Sequence, residues 1–475
     1  MPAEWSGEID ALMRAGRAKL AAGDGPSALQ RFTEALQRDN ALPEAFLGAG
    51  LALESMGDDR AADASYRHAV TLDPALANAH GALAALAARH GDWIQARTSA
   101  ESALAILPTE SSASVALAQI RLREDLPAEA LSVLASVIWS QGQTLQHAFA
   151  HRLGGTALER LGRTAEAFAQ WGASAAIFRA RYAVGCAGPE PMTGLDLCLS
   201  LERRYADGDA ALWRAAPGES GGPAAGHVFL VGFPRSGTTL LEQALAGHPD
   251  VVALEERPTL VAAIDAFLDP PLGVEALARL DQDQADHWRG QYWAQVRANG
   301  ADVSGKIFVD KQPFYGLWLP LIGKLFPQAK IVVARRDPRD VVLSCLRNPF
   351  RMTPVTYELM DLERGAALYA GTMRIIDLFR ARSANPVFEH RHETLVDDFE
   401  GAVRPLCAFL NLPWTDCLAD FAATAARREI RTPSADQVRR GLNRDGVGAW
   451  RRYAAELAPV LPMLSPLAER YGYPP

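Results

Sequence analysis

The strongest constraint on the fold of this chain is a set of small residues that recurs every 34 positions. One column holds glycine or alanine four times in succession, and two alanine columns keep the same step (Gly16, Gly50, Ala84 and Ala118; Ala28, Ala62, Ala96 and Ala130; Ala35, Ala69 and Ala103). Turn residues follow in register, first as glycine and then as aspartate (Gly23, Gly57, Gly91 and Asp125). A fixed period of this length indicates stacked helix–turn–helix units, because small side chains let paired helices approach closely.

These repeats resemble the tetratricopeptide repeat, whose unit is two helices of this combined length. A further unit restarts three residues late, at Gly155 and Gly162. The resemblance implies an α-helical tetratricopeptide-repeat solenoid over about residues 9–181, and we set this domain at 1–182. Its concave face is expected to bind a peptide, a partner or a second subunit rather than to do chemistry. The alternative, an alanine-rich bundle with accidental periodicity, is disfavoured because three columns agree.

The remainder of the chain has a different pattern. Residues 183–226 are interpreted as an irregular connecting segment that ends in the Gly/Pro/Ser-rich stretch PGESGGPAAG. From 227 to 475, short β-branched runs such as HVFLV and KIVVA alternate with helical patterns. This alternation predicts an α/β, P-loop-like domain with a central parallel sheet, in which ligands bind beyond the carboxyl ends of the strands.

The first strand leads into the loop GFPRSGTT, residues 232–239, and then into a helix. Its two glycines allow tight turns, and the amides from Ser236 to Thr239 are expected to point at one anion at the helix N-terminus. A nucleotide triphosphatase has lysine where this chain has Thr238, and that lysine reaches the β- and γ-phosphates. Arg235 lies inside the loop instead. The pattern favours a nucleotide with a single 5′-phosphate that carries a transferable group, bound without metal.

A second candidate anion site lies in the segment KIVVARRDPRDVVLSCLRN. A strand delivers Arg336 to its carboxyl end, and Ser344 follows on the next helix. A guanidinium fork and a hydroxyl are suited to one additional phosphate. Taken by itself, the segment is explained equally well by a surface cluster of salt bridges among its arginines and aspartates.

Together these segments resemble the sulfotransferases that use 3′-phosphoadenosine 5′-phosphosulfate (PAPS), most closely the protein-tyrosine sulfotransferases and bacterial proteins that join tetratricopeptide repeats to a sulfotransferase domain. The resemblance covers most of 227–475. PRSGTTL is similar to the family's 5′-phosphosulfate loop, and R-D-P-R with a later serine is similar to its 3′-phosphate site. HPDVVALEE and VDKQPF resemble the family's HP-x-V-x-x-x-EE and KDPF segments, and SADQVRRGLNRDGVGAWRRY resembles the segment that closes over the cofactor.

The resemblance implies sulfuryl transfer from PAPS to an acceptor hydroxyl, with no metal required. Glu256 would be the catalytic base, and Glu255 is the runner-up, because adjacent strand residues point to opposite faces and only one can face the pocket. Lys311 and Arg235 would neutralise the leaving phosphate, although Gln312 stands where the tyrosine sulfotransferases have Asp. The implied cofactor-binding residues are Arg235, Ser236, Gly237, Thr238, Thr239, Arg336, Ser344, Arg439, Arg440, Trp450 and Arg451.

Several alternatives stay open. His248, the other candidate base, lies in GHP at a helix end, where packing is the better explanation, and His390 and His392 lie in a segment that resembles a structural feature of the family. The EE pair favours a phenolic or peptide tyrosine hydroxyl as acceptor, and a glycan, lipid or small metabolite is the alternative. A P-loop kinase or NTPase and a non-catalytic repeat scaffold are the rival function classes.

Composition limits the partners and the compartment. The net charge of −8 argues against a general binder of nucleic acid or of membrane surfaces, and no apolar run is long enough to span a bilayer. The five cysteines form no C-x-x-C pair, so neither a disulfide framework nor a zinc site is expected. The acidic N-terminus lacks the apolar core of a signal peptide, so we expect a cytoplasmic protein, and we keep a homodimer among its assemblies.

Overall fold

The computed structural model describes residues 3–138, 140, 142–187, 192–218, 221–268, 273–419 and 442–475. The chain divides into two compact units, Met1–Phe178 and Arg179–Pro475. Helices build the first unit, and the second contains a parallel sheet, so both predicted fold classes are confirmed. Within the described ranges, none of the helices combines the length and the apolar character that a membrane crossing requires.

The helices of the first unit follow one another in pairs, and each pair corresponds to one sequence repeat. Turns of a few residues join them. Their bounds are α1 (Ala3–Ala21), α2 (Gly25–Arg38), α3 (Pro43–Ser55), α4 (Asp59–Leu72), α5 (Ala77–His90), α6 (Trp93–Ile106), α7 (Ser111–Arg123), α8 (Pro127–Ile138), α9 (Leu145–Arg160) and α10 (Thr164–Cys186).

The turn inside each pair has the same backbone conformation in successive repeats. Gly23, Gly57 and Gly91 are left-handed, with φ between 77° and 82°, and Asp125 adopts φ 59° at the next equivalent position. Aspartate is one of the few residues with a side chain that tolerate this region, so the turn persists without glycine. The next residue caps the second helix of each pair by accepting a bond from a backbone amide three positions on: Asp24, Asp58 and Asp92.

Paired helices touch where the column of small residues faces larger side chains sixteen positions later. A Cβ added at Gly16 would lie 2.8 Å from the ring of Phe32, and one added at Gly50 would lie 2.4 Å from the ring of Tyr66. Where the first column holds alanine, the second is aliphatic and lies in the same core cluster (Ala84 with Ala100, Ala118 with Leu134). Glycine in the first column is thus paired with an aromatic ring in the second, and alanine with a smaller aliphatic side chain, which keeps the interior close-packed.

The second unit alternates strands and helices as predicted. Short 3₁₀ helices lie at Ala210–Trp213, Pro313–Trp318, Asp416–Leu418 and Ala449–Tyr453. The other elements are α11 (Gly194–Asp207), β1 (Gly226–Val231), α12 (Thr238–Ala246), β2 (Val251–Glu255), α13 (Val261–Phe267), α14 (Val274–Ala278), α15 (Gln282–Ala298), β3 (Ile307–Lys311), α16 (Leu319–Leu325), β4 (Lys330–Arg335), α17 (Pro338–Arg347), α18 (Pro354–Glu358), α19 (Leu362–Arg382), β5 (Val387–Arg391), α20 (His392–Asp397), α21 (Phe399–Leu410) and α22 (Leu461–Arg470).

The segment 183–226 is not irregular throughout, because it contains α11. Leu201 and Tyr205, one turn apart, are fully buried, and Glu202 forms an ion pair of 2.5 Å with Arg374 of α19. This helix packs into the second unit. The prediction of a connecting segment rested on the Gly/Pro/Ser-rich stretch PGESGGPAAG, which follows this helix.

The five strands form one parallel sheet in the order β2-β3-β1-β4-β5. Along each pair the register places the strand ends side by side, with Glu255 opposite Lys311 and Arg335 opposite Arg391. Parallel strands bring their carboxyl ends to one edge of the sheet. The candidate phosphate loop, the EE pair, Lys311 and Arg336 all lie at or directly after one of these ends.

Successive residues of the strands point to opposite faces. Val228 and Leu230 of β1 belong to a core cluster with α12 and α21. His227 and Phe229 lie instead among aromatic side chains that include Tyr292 of α15. The same alternation puts Lys311 on the α12 face and Asp310 on the α15 face, so two adjacent residues of β3 enter different surroundings.

Candidate active site

The loop 232–237 connects β1 to α12 and has room only for glycine at two positions. A Cβ added at Gly232 would lie 2.6 Å from the carbonyl oxygen of Ala334 on β4. Gly237 has φ 92° and directly precedes α12. Residues with a side chain rarely adopt this conformation. The two glycines leave the loop backbone bare in front of a helix N-terminus, which is the arrangement that binds phosphate.

The loop differs from the sequence expectation at one amide. The backbone N–H of Ser236 donates to the carbonyl of Phe233 at 3.1 Å, so it closes a turn of the loop. The expectation that this amide points at the anion is wrong for that reason. The amides of a first helical turn point out of the helix end, and in α12 that turn begins with Thr238 and Thr239. These side chains and Ser236 are buried.

Arg235 and Arg336 meet beside this loop. Arg235 is 7% exposed and has φ 71°, and its Nε donates to the hydroxyl of Ser344 at 3.0 Å. Arg336 Nη1 donates to the carbonyl of Arg235 at 3.0 Å, and its Nη2 donates to that of Gly446 at 2.5 Å. Three of the residues predicted to contact phosphates, Arg235, Arg336 and Ser344, are therefore brought together.

The electrostatics of this cluster favour an anion. Burial, and then the positive charge of Arg336, lower the pKa of Arg235 to about 10. The Nε of Arg336 is buried and has no hydrogen-bond partner among the described residues. Two guanidinium groups this close in a desolvated place repel one another. A bound phosphate would relieve that repulsion and supply the acceptor oxygens that a guanidinium fork needs.

His392, the first residue of α20, completes this side of the site. A Cβ added at Gly237 would lie 2.6 Å from its Nδ1, so the imidazole lies directly against the loop. That nitrogen is buried and has no hydrogen-bond partner within the described ranges. Burial, and then the charge of Arg336, hold the pKa of His392 well below its usual range. Both effects favour the neutral ring, and an anion on the loop would favour its protonation.

Lys311 lies at the centre of a cluster of carboxylates. Its side chain is fully buried, and its Nζ is 2.8 Å from Oε1 of Glu256 and 3.5 Å from Oε1 of Glu255. Glu242 of α12, also fully buried, places Oε2 at 3.5 Å from the same nitrogen. Burial lowers the pKa of Lys311, but the carboxylates outweigh burial, Glu242 most of all, and the pKa is raised. Lys311 is a buried, charged ammonium.

Both members of the EE pair reach Lys311, so the expectation that only one of them can face the pocket is wrong. Glu255 is the last residue of β2, whereas Glu256 lies beyond the strand with φ 47°. Strand alternation ends at the strand boundary, and the left-handed turn rotates Glu256 back towards the same side. Its side chain is 36% exposed, compared with 11% for Glu255, so Glu256 has the better access to an incoming substrate.

The turn that carries Glu256 is held from its far side by a buried polar network. Thr259 Oγ1 donates to Oδ2 of Asp310 at 2.7 Å and lies 2.8 Å from Oη of Tyr315. The Tyr315 hydroxyl also donates to the carbonyl of Arg257 at 3.3 Å. Burial raises the pKa of Asp310 to about 7. The end of β3 thus positions Lys311 directly and, through these contacts, the turn bearing Glu256.

Residues 227–416 match the family model described as the sulfotransferase family. The matched segment runs from β1 past α21, and it contains the loop, Glu256, Lys311, Arg336 and Ser344. Over these residues the chain is similar to the sulfotransferase family, and we refer to the domain that contains them as the sulfotransferase domain. Within the described part of the chain, no group of His, Cys, Asp and Glu side chains is arranged to hold a metal ion.

Individual proteins resemble the sulfotransferase domain more distantly. An uncharacterized protein of Aquifex aeolicus is 29% identical over 253 residues, which are 51% of this chain and 33% of that protein. Protein-tyrosine sulfotransferase 1 of Danio rerio is 25% identical over 263 residues, which are 52% of this chain and 72% of that protein. The solved sulfotransferase domain of the Synechococcus PCC 7002 olefin synthase is 22% identical, with a TM-score of 0.32, over 51% of this chain and 98% of that domain.

The C-terminal part of the sulfotransferase domain is fastened to α17. Oδ2 and Oδ1 of Asp340 accept bonds of 2.7 Å and 2.8 Å from the amides of Gly448 and Trp450. The indole of Trp450 is buried beneath Arg339, whose Cζ lies 3.8 Å from the ring centroid. Arg451 donates to the carbonyl of Pro475 at 2.9 Å. Trp450 therefore anchors the segment, and its role towards a cofactor stays a prediction, as does that of Arg451.

Two other sequence predictions have plain outcomes. Arg439 and Arg440 lie outside the described residues. His248 uses both ring nitrogens in a helix-end turn, with Nε2 at 3.1 Å from the carbonyl of Pro413 and Nδ1 accepting from the amide of Asp250 at 3.0 Å. Packing is therefore the right explanation for His248, and it is a poor candidate for the base.

Sequence reasoning missed Glu242 and Asp340 as residues of the candidate site, and it did not predict the packing of His392 on the loop. The strand-end rule, applied to β5, would have drawn attention to His392, because it directly follows the last residue of that strand. Glu242 follows two leucines one turn into α12, and an acid buried there implies a cation nearby. Asp340 gave no comparable signal, because its partners are backbone amides far along the chain.

Proposed function

We propose that this chain transfers the sulfuryl group of PAPS to an acceptor hydroxyl. The observation that carries the proposal is the arrangement of Glu256 and Lys311, 2.8 Å apart at neighbouring strand ends, in the same domain as a phosphate loop that contains arginine and no lysine. A base and a buried ammonium are the two groups that hydroxyl attack and departure of a phosphate require. The match of residues 227–416 to the sulfotransferase family model supports the same reaction.

The residues present fit the proposed donor. The bare backbone at Gly237, with the first-turn amides of α12, would hold the 5′-phosphosulfate, and Arg235 would contribute positive charge. The unsatisfied Nε of Arg336 and the hydroxyl of Ser344 would hold the 3′-phosphate. When bound, PAPS supplies an activated sulfuryl group on a phosphate that leaves as adenosine 3′,5′-bisphosphate.

The chain's own groups then have separate tasks. Glu256 accepts the proton of the acceptor hydroxyl as the new oxygen–sulfur bond forms. Lys311 gives up its contact with Glu256 and donates to the oxygen whose bond to sulfur breaks, so the negative charge on the leaving phosphate is compensated. The proton ends on Glu256, and the products are a sulfate ester and adenosine 3′,5′-bisphosphate. Lys311 is already buried and charged, so it does not have to enter the site or take up a proton during the transfer.

A phenolic or peptide tyrosine hydroxyl is the acceptor we favour. The EE pair resembles that of the protein-tyrosine sulfotransferases, and relatives such as the Danio rerio protein carry that name. The repeat unit would bind the acceptor, a partner protein or a second subunit, since solenoids present extended surfaces to peptides. A glycan, a lipid or a small metabolite is the alternative acceptor class.

Two measurements test this proposal. Calorimetry with adenosine 3′,5′-bisphosphate should show binding at micromolar to millimolar concentration, and sulfur-labelled PAPS should label one acceptor in a panel of phenols, peptides, glycans and lipids. Both should persist in EDTA. Turnover of ATP that requires Mg²⁺, with no binding of the bisphosphate, would identify a kinase or NTPase instead. Partner binding that survives replacement of both Arg235 and Glu256, with no transfer by the native chain, would identify a scaffold.

A further inference from the structure

Glu242 is a buried acid to which the proposed chemistry gives no task. It lies one turn into α12, directly after the phosphate loop, and its side chain is fully buried. Its Oε2 is 3.5 Å from Nζ of Lys311, which is equally buried. A buried charge is tolerated when it is paired. The pair Glu242–Lys311 is therefore a fixed ion pair beneath the site, whereas Glu256 is open to solvent.

The charge on Lys311 depends on carboxylates that differ in what happens to them during transfer. Glu256 is the nearest at 2.8 Å, but as the base it takes up a proton and loses its negative charge. It does so just as Lys311 must be positive beside the leaving phosphate. Burial alone would favour the neutral amine. The remaining carboxylates within 4 Å of Lys311 among the described residues are Glu242 on α12 and Glu255 on β2. Asp310 points to the other face of the sheet, where it accepts a bond from Tyr292 of α15.

We propose that Glu242 is a positioning residue that keeps Lys311 protonated and in place through sulfuryl transfer. This inference rests on the proposed function. Glu242 suits the task better than Glu255, because Glu255 is 11% exposed and its charge is partly screened by water. Glu242 also lies on α12, the helix whose N-terminus would hold the 5′-phosphosulfate. The same short helix would therefore position both the phosphosulfate and, through Glu242, the ammonium of Lys311.

The test compares pH profiles of Glu242→Gln with those of a matched control. Glu358→Gln removes a carboxylate that is just as buried and paired, with Arg364 at 2.5 Å, but that does not face Lys311. We expect the alkaline limb of kcat, and that of adenosine 3′,5′-bisphosphate affinity by calorimetry, to move about one to three pH units lower in Glu242→Gln, the range for loss of a close opposite charge. Glu358→Gln should keep the native limb. In a Lys311→Arg background the cation cannot lose its proton, so Glu242→Gln should no longer move the alkaline limb of either profile.

An unchanged alkaline limb in folded Glu242→Gln overturns the inference. Should that variant not fold, Glu242→Asp withdraws the carboxylate by one methylene and should move the limb in the same direction; a native limb in Glu242→Asp then counts against the role equally. A different result would refute the proposed function itself: a native chain that neither binds the bisphosphate nor transfers sulfate. Binding and transfer by the native chain with no effect of Glu242 reject this inference alone.

Discussion

Replacing Glu256 by glutamine separates chemistry from binding. Glutamine has nearly the same shape, so the left-handed turn and its hold on Thr259 should persist, while the group that accepts the proton is removed. Lys311 loses the negative charge at 2.8 Å but keeps Glu242 and Glu255, each at 3.5 Å, so we expect it to stay charged near neutral pH. The perturbation therefore removes the base and leaves the cation.

The expected loss falls on kcat. Removal of a general base costs about 10²–10⁴ in rate, which corresponds to about 2.7–5.4 kcal/mol in activation free energy. Glu256 does not contact the loop residues assigned to the phosphates, so affinity for adenosine 3′,5′-bisphosphate should change by less than about tenfold, or 1.4 kcal/mol. Acceptors with a more acidic hydroxyl should lose less, because they need less help to ionise.

Single-turnover transfer to a series of substituted phenols measures the rate of the chemical step, and calorimetry measures the affinity for adenosine 3′,5′-bisphosphate. Glu255→Gln is the matched control, since it removes the other carboxylate at the edge of the sheet and should slow transfer far less. Abolished turnover in Glu255→Gln with near-native turnover in Glu256→Gln would make Glu255 the base. Equal, small effects of both would place the base elsewhere, and His248 would not be it, because both of its nitrogens are occupied.

The other predictions concern nucleotide binding and stability. Arg336→Ala and Ser344→Ala should each weaken bisphosphate affinity by roughly 1.5–3 kcal/mol, as for a hydrogen bond to a charged group, and native affinity in both by calorimetry would refute the 3′-phosphate assignment. Gly50→Ala should lower the free energy of unfolding by about 1–3 kcal/mol through the clash with Tyr66, and a thermodynamic cycle with Tyr66→Ala should show favourable coupling; strict additivity would contradict the paired columns. Asp340→Asn should cost about 1–3 kcal/mol in thermal unfolding, since an amide offers one acceptor where two N–H groups need one each, and an unchanged melting temperature would show that this anchor is unimportant.

The repeat unit was predictable in detail because its determinants are local. Turn residues, helix caps and paired small residues all recur within one period, so equivalent positions of successive repeats occupy equivalent places in the structure. Asp125 illustrates this, since its register predicted a turn at that position, and the structure has a left-handed residue there with φ 59°. The helix α11 was missed for the opposite reason: its partner on α19 is far along the chain, and nothing local announces it.

The site was predictable to the level of strand ends and no further. A parallel sheet brings its carboxyl ends together, so Arg235, Glu256, Lys311 and Arg336 could be assigned to one edge without coordinates. Which way a side chain points beyond the strand depends on backbone that periodicity does not describe. Glu256 was assigned strand geometry and has a left-handed turn instead, and for this reason both glutamates reach the lysine.

The backbone itself singles out the two residues that carry most of the proposed chemistry. Among the described residues, the non-glycine residues with positive φ are Asp125, Arg235, Glu256 and Asn411. Aspartate and asparagine adopt this region readily, and here they end helices. Arginine and glutamate have no such preference, so the surroundings must hold them in a conformation that costs on the order of 1–3 kcal/mol each. Arg336 donates to the carbonyl of Arg235, and the network around Thr259 fixes the turn after Glu256. The backbone at Arg235 and at Glu256 is therefore held in a conformation that lowers stability, and in each case this conformation directs a charged side chain towards the same edge of the sheet.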